Sequence, residues 1–250
     1  MKTLSIPREQ VHAHFTARAD RYDRSSNWCT DGGILDRMLA LLAPNPDTRL
    51  LDLAVGTGLV SRHLRPHVGR ITGLDITEAM MVQAQDAVDE MVISPAEAMP
   101  FADGSFDAVV CRQGIQFMDL GPALGEVRRV LKPGGRFLTV DLCAYGPEDR
   151  DEYFEILRLR NPARRNFFVR GDVAAALTEA GFDPVTVEEL VTAEDVEAWS
   201  DHGAIAEHRR EGIRAVYWRA SAAFCARHSV QVGEGRIVDH MLFGLTVGVR

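Results

Sequence analysis

Between Leu50 and Leu142, short apolar runs alternate with segments whose apolar residues recur at helical spacing. Leu50-Leu51-Asp52-Leu53 predicts a strand, Gly56-Thr57-Gly58 a tight turn, and the residues to about Leu64 a helix. Arg70 to Asp75 predicts a second strand that ends in an acid. Thr77 stands where it could cap a helix running through Met80, Met81, Ala84 and Val88. Met91-Val92-Ile93 is a third strand, and Phe106 to Cys111, after the turn Asp103-Gly104, is a fourth. Leu124, Val127, Val130 and Leu131 mark a helix stopped by Pro133-Gly134-Gly135, and Arg136 to Leu142 is a fifth strand. Strands that are apolar throughout are covered on both faces, so an α/β fold with a parallel sheet between helical layers is expected.

The flanks read differently. Residues 8–22 predict a polar helix with Val11, Phe15 and Ala19 on one side. Asp31 could cap a second helix with the stripe Ile34, Leu35, Met38, Leu39 and Leu42, ended by Pro44 and Pro46. These helices make an N-terminal cap over residues 1–46. Beyond the fifth strand, Asp172 could cap a helix ending at Gly181, followed by a strand near Val185–Leu190. A long helical pattern then runs from about Ala204 to Arg227 and carries Ile205, Ile213, Val216, Tyr217, Ala220 and Phe224. That face either completes the core or lines a lid over a substrate pocket. Met241 to Val247 predicts a last apolar strand.

With 250 residues, 46% of them hydrophobic and 26% charged, the chain suits one embellished domain or two small ones. A formal net charge of −8 disfavours a nucleic-acid partner. Arg158, Arg160, Arg164, Arg165 and Arg170 nevertheless cluster, as a solvated, salt-bridged loop or as a seat for an anionic substrate. Cys29, Cys111, Cys143 and Cys225 are far apart and lack ligand spacing, so neither zinc nor a disulfide framework is suggested. Reduced thiols, an N-terminus without the apolar run of a signal peptide, and no stretch of bilayer-spanning length lead us to expect a cytoplasmic protein with no membrane partner.

The chemistry concentrates in the first two strand ends. Glycines between a strand and a helix let the backbone approach a ligand, and the helix N-terminus behind them suits an anion. The outer positions of the nucleotide-binding pattern are Ala54 and Ser61, so the loop departs from G-x-G-x-x-G. A carboxylate at Asp75 can accept from both ribose hydroxyls of an adenosine. These two features do not separate a nicotinamide cofactor from S-adenosylmethionine (SAM).

The later segments do. Leu51 to Gly58, Gly73-Leu74-Asp75-Ile76-Thr77, Ala96-Glu97-Ala98-Met99-Pro100-Phe101, Asp103-Gly104-Ser105-Phe106-Asp107 and Val130 to Gly135 occur in one order. In this set the chain resembles the class I SAM-dependent methyltransferases, in particular the type 11, quinone-biosynthesis-like C-methyltransferase branch, from about Leu50 to Val140. The resemblance implies a Rossmann-like seven-stranded, mostly parallel sheet with helices on both faces and a reversed last strand. It implies a SAM-binding unit over 47–194, a helical insertion or lid over 195–235 and the last strand over 236–250.

Several site roles follow from the same resemblance. Gly56 and Gly58 would pass under the methionine part of SAM, Asp75 would hold the ribose, and Ile76 would pack on the adenine. Ala96 and Glu97 would sit at the adenine edge, and Cys111, Arg112 and Gln113 would approach the methionine and methyl groups. Asp52, Ala54 and Tyr22 complete the expected cofactor contacts, with Tyr22 and Trp28 roofing the substrate pocket. Pro95 stands where relatives often place an Asp for the adenine amino group, so a backbone carbonyl or Glu97 would take that role.

The implied activity is in-line methyl transfer to a small-molecule acceptor. A base is needed only if the acceptor must lose a proton. Tyr145, His202 and Tyr217 are the foremost candidates, with His14, Tyr22 and His240 behind them. No metal is expected, and a homodimer is compatible with the sequence. The alternatives are a SAM-binding enzyme of non-methylating chemistry, a nicotinamide-dependent oxidoreductase, and a catalytically silent binding protein.

Overall fold

The computed structural model describes residues 1–24, 31–233 and 235–250, so Trp28 and Cys29 lie outside the described residues. Its strands are β1 (Lys2–Thr3), β2 (Arg49–Leu53), β3 (Arg70–Asp75), β4 (Glu90–Ile93), β5 (Phe106–Arg112), β6 (Leu131–Ala144), β7 (Asn166–Val169), β8 (Val185–Asp195), β9 (Gln231–Gly233) and β10 (Arg236–Val249). The helices are α1 (Arg8–Thr16), α2 (Gly32–Leu42), α3 (Leu59–Leu64), α4 (Glu78–Met81), α5 (Leu120–Val130), α6 (Arg150–Arg160), α7 (Asp172–Glu179), α8 (Val196–Ser200), α9 (Glu207–Arg219) and α10 (Ala222–Arg227).

The main sheet has the order β4-β3-β2-β5-β6-β10-β8. Only β10 is reversed, pairing antiparallel with β6 from Leu242↔Cys143 to Val249↔Arg136 and with β8 on its other side. This is the seven-stranded arrangement expected. β2 stands between β3 and β5, so the chain leaves it toward one side and returns on the other. Such a reversal opens a crevice at the carboxyl ends of the strands. β1 and β7 extend the sheet beside the end of β6, and β9 pairs with the start of β10.

Local chemistry departs from expectation at several ends. The helix expected over 8–22 stops at Thr16, and a tighter 3₁₀ turn covers Ala19–Arg24. The turn brings Tyr22 to within 6.4 Å of Phe15, ring to ring, with the Arg18 guanidinium over both. Asp31 caps α2 as expected, accepting from the Gly33 amide at 2.8 Å. Thr77 does not cap α4 through its side chain; its amide instead donates to Asp75. Asp172 is the first residue of α7 rather than its cap, and accepts from the Val169 amide at 2.8 Å. The long helical pattern over 204–227 is broken at Ala220–Ser221, where the Ser221 hydroxyl accepts from Phe224 N and starts α10.

The apolar face of α9 and α10 is core, the first of the two readings that its spacing allowed. Ile213, Val216, Tyr217 and Phe224 are buried in one cluster with sheet residues such as Val140, Phe243 and Leu245. α9 packs along α6, a helix that the sequence pattern did not reveal. Phe224→Ala is therefore expected to cost about 3–5 kcal/mol of stability. Denaturant unfolding should show this loss, and the folded fraction should bind cofactor normally. A stable variant with altered acceptor choice would restore the lid reading. Among the described residues no helix is long and apolar enough to cross a membrane.

Candidate functional site

The loop after β2 is held in left-handed backbone at Ala54 (φ 59°) and Gly56 (φ 53°). For Ala54 that conformation costs about 1–3 kcal/mol, a strain characteristic of functional loops. A Cβ at Gly56 would come no nearer than 3.4 Å to Met80 Cε, so backbone conformation, and not crowding, requires glycine there. Gly58 differs. A Cβ on it would lie 2.9 Å from Ala84 Cβ, so this glycine serves the packing of α3 on the turn after α4. Gly58 is not among the residues that line the cleft.

Asp75 ends β3 beside this loop. Its Oδ2 accepts from Gly56 N at 3.0 Å and its Oδ1 from Thr77 N at 2.9 Å. Burial pushes its pKa up, and the backbone amides counter part of that shift. The two amides orient the carboxylate, and each oxygen keeps capacity for a further donor.

A cleft with about 730 Å³ of free space opens at these strand ends. Ala54, Gly56, Asp75 and Ile76 line it. The segment after β4 adds Ala96 and Glu97, the end of β5 adds Arg112 and Gln113, and the N-terminal turn adds Tyr22. The Glu97 carboxylate is engaged, accepting from Asp119 N at 2.7 Å and facing Arg8 at 3.6 Å. Cys111 places its side chain elsewhere. Side chains alternate along a strand, and this one turns into the core below the cleft, where burial raises its thiol well above the usual range.

Two smaller cavities adjoin the cleft. One, of about 290 Å³, shares Tyr22, Ala54, Gly56 and Arg112 with it and reaches Asp52. Asp52 is buried and accepts from Ser61 Oγ at 2.6 Å. Burial raises it to about 6, against the opposing pull of Ser61 and Arg112. The other, of about 360 Å³, shares Phe15, Tyr22, Gln113 and Phe117 with the cleft. Phe15 and Phe117 meet edge to face at 4.9 Å. Arg8, Val11, Phe15 and Phe117 were not expected as site residues. The apolar side of α1 was legible, but nothing local said that it would cover this opening.

None of the three foremost base candidates reaches these cavities. The Tyr145 hydroxyl donates to His240 O at 2.8 Å, and burial pushes its pKa up to about 12. His202 is fully buried, with Nε2 3.0 Å from Arg160 O, and burial together with the nearby arginines drives it far below the usual imidazole range. Tyr217 donates to Asp239 inside the core. His14 is likewise buried, and burial with Arg18 lowers it to about 3. His240 lines none of the three cavities, and of the lesser candidates only Tyr22 does. Among the described residues, no group of three His, Cys, Asp or Glu side chains could hold a metal.

Comparison with known proteins gives a consistent picture. Residues 51–139 match a family model described as a methyltransferase domain. The ubiquinone/menaquinone biosynthesis C-methyltransferase UbiE of Dinoroseobacter shibae is 32% identical over 219 residues, covering 72% of this chain and 85% of the relative. UbiE of Cereibacter sphaeroides is 38% identical over 146 residues, 52% of this chain; the match spans only 58% of that relative's length. Among solved structures, the YcgJ protein of Bacillus subtilis superposes with a TM-score of 0.80 at 24% identity, covering 86% of this chain and 97% of that one. At that identity the likeness speaks for the fold alone.

Proposed function

Because this chain belongs to the class I SAM-dependent methyltransferases, in their type 11 branch, we propose that it binds SAM in the cleft at the ends of β2, β3 and β5 and methylates a small molecule. The observation that carries this reading is Asp75, whose carboxylate is oriented by two backbone amides at the edge of that cleft.

The residues present fit the cofactor. Asp75 would accept from the ribose hydroxyls, and Ile76 and Ala96 offer apolar surface to the adenine. Asp52 and Arg112 line one side cavity and would pair with the ammonium and carboxylate of the methionine part. Ala54 and Gly56 keep the loop backbone close. When bound, the cofactor would supply a methyl carbon made electrophilic by its sulfonium, to which an acceptor nucleophile would bond as the carbon–sulfur bond breaks, with S-adenosylhomocysteine as the leaving group. The chain's contribution is alignment and exclusion of water, with Phe15, Tyr22 and Phe117 covering the opening. Among the described residues no histidine lines the three cavities, and of the base candidates Tyr22 alone does. We place this chemistry in small-molecule metabolism in the cytoplasm.

Calorimetry with SAM and with NAD tests the reading. Saturable SAM binding without NAD binding is expected, and the reverse would overturn it. Release of S-adenosylhomocysteine with an acceptor panel then separates methyl transfer from other uses of SAM. Gly56→Val probes the loop. At φ 53° a branched side chain costs roughly 1–2 kcal/mol of stability, and its methyls would occupy the cofactor's approach. More than tenfold weaker SAM binding is expected in a protein that still folds; unchanged affinity would remove the loop from the site.

A further inference from the structure

Basic side chains line the 360 Å³ space beside the cleft. Arg18, Arg160 and Arg164 line it, all buried, and no acid is among its described lining residues. Of these, Arg164 bears on what the space can hold. Its Nε donates to Asn166 O at 2.9 Å and its Nη2 to Leu142 O at 3.2 Å, so two carbonyls fix the guanidinium without neutralising it. Asp141 feels this charge but forms no ion pair with it. A buried cation such as Arg164 ordinarily has a carboxylate or a bound anion against it.

A second observation comes from Gln116, which lines the same cavity and is only 2% exposed. Its Nε2 donates to Gln113 Oε1 at 3.0 Å, while its own buried Oε1 has no hydrogen-bond partner. A buried acceptor left unmade costs free energy, so it points to a donor on a ligand. Phe15 and Phe117 supply apolar wall. Gln113 opens onto both this cavity and the cleft, so a molecule held here faces the cofactor.

We propose that this cavity is the acceptor site and that the acceptor is a small organic anion, its carboxylate or phosphate set against Arg164 and a hydroxyl or N–H donor against Gln116. The assignment rests on the cleft being the SAM site. It turns part of the basic cluster seen in the sequence from a solvated loop into the inner surface of a specificity pocket.

The test uses the full chain saturated with S-adenosylhomocysteine, whose binding is measured first. Failure of that step overturns the cofactor reading itself. The probes are 4-hydroxybenzoate, its neutral amide 4-hydroxybenzamide, and inorganic phosphate as a competitor. The acid is expected to bind about ten- to hundredfold more tightly than the amide. Displacement by phosphate would identify a general anion seat, and no displacement a carboxylate seat. Arg164→Met should erase the preference for the acid. Gln116→Glu keeps the shape and places a carboxylate inside the cavity. It should raise Tm while abolishing binding of the acid, which a purely structural arginine cluster would not do. With S-adenosylhomocysteine bound normally, equal affinity for acid and amide, or a Gln116→Glu protein that is destabilised and still binds the acid, would overturn the proposal.

Discussion

Asp75→Ala is expected to weaken SAM binding by about ten- to hundredfold, the loss of a charge-assisted hydrogen bond of ~1.5–3 kcal/mol. The structure adds a second cost. Asp75 Oδ2 accepts from Gly56 N and Oδ1 from Thr77 N, so its removal also releases the glycine loop and the start of α4. Asp75→Asn keeps one carbonyl oxygen for these amides and should fall between wild type and alanine. Calorimetry on both variants, with folding checked by circular dichroism, decides the matter. A folded Asp75→Ala protein with wild-type affinity would remove the ribose role.

His228→Asn is expected to cost about 3–5 kcal/mol of stability, because it leaves buried carboxylates without their cation. The ring lies between Asp239, 2.8 Å from Nδ1, and Asp149, 3.1 Å from Nε2, and stacks on Phe224 at 4.1 Å. Burial alone would lower its pKa, but the two carboxylates outweigh burial and raise it to about 9. Its unfolded value is ~6.5. A folded pKa above the unfolded one contributes stability that is fully present below pH ~6.5 and lost as pH rises through about 9. The difference corresponds to roughly 3 kcal/mol. Asp149, held low despite its burial by His228 and two backbone amides, adds stability present above its ordinary ~3.8 and lost as pH falls below that. Urea unfolding of wild type and variant at pH 6 and pH 9.5 reads the effect. Wild type should lose most of its advantage over His228→Asn between these values, and a constant difference would show that the imidazolium does not act as a cation there.

Much of the scaffold was legible from period alone. β2, β3, β5, β6 and β10 follow from uninterrupted apolar runs, and the reversed last strand follows from the family resemblance. The binding loop was legible because glycine and a strand-end aspartate are required by backbone conformation and by hydrogen bonding at neighbouring positions. Asp75 reaches Gly56 across parallel strands whose pairing the sequence pattern already implied.

What the sequence left open was which surface each side chain meets. The stripe Ile213, Val216, Tyr217 and Phe224 has the same spacing whether it lines a lid or completes a core, and only packing against β10 and α6 decided for the core. His202 and Tyr217 have the chemistry of bases, but desolvation and partners distant in sequence withdraw them from the site. The tie between His228 and Asp149 joins residues 79 positions apart. Cys111 and Arg112 are adjacent, yet alternation along β5 sends one into the core and the other to the cleft. The arginines were visible as a run of charge around residue 160, but only the fold turns Arg160 and Arg164 inward and brings Arg18 to meet them at one cavity. Periodicity determines which side of an element is apolar; the partner of that side is chosen by long-range contact, which has no local signature.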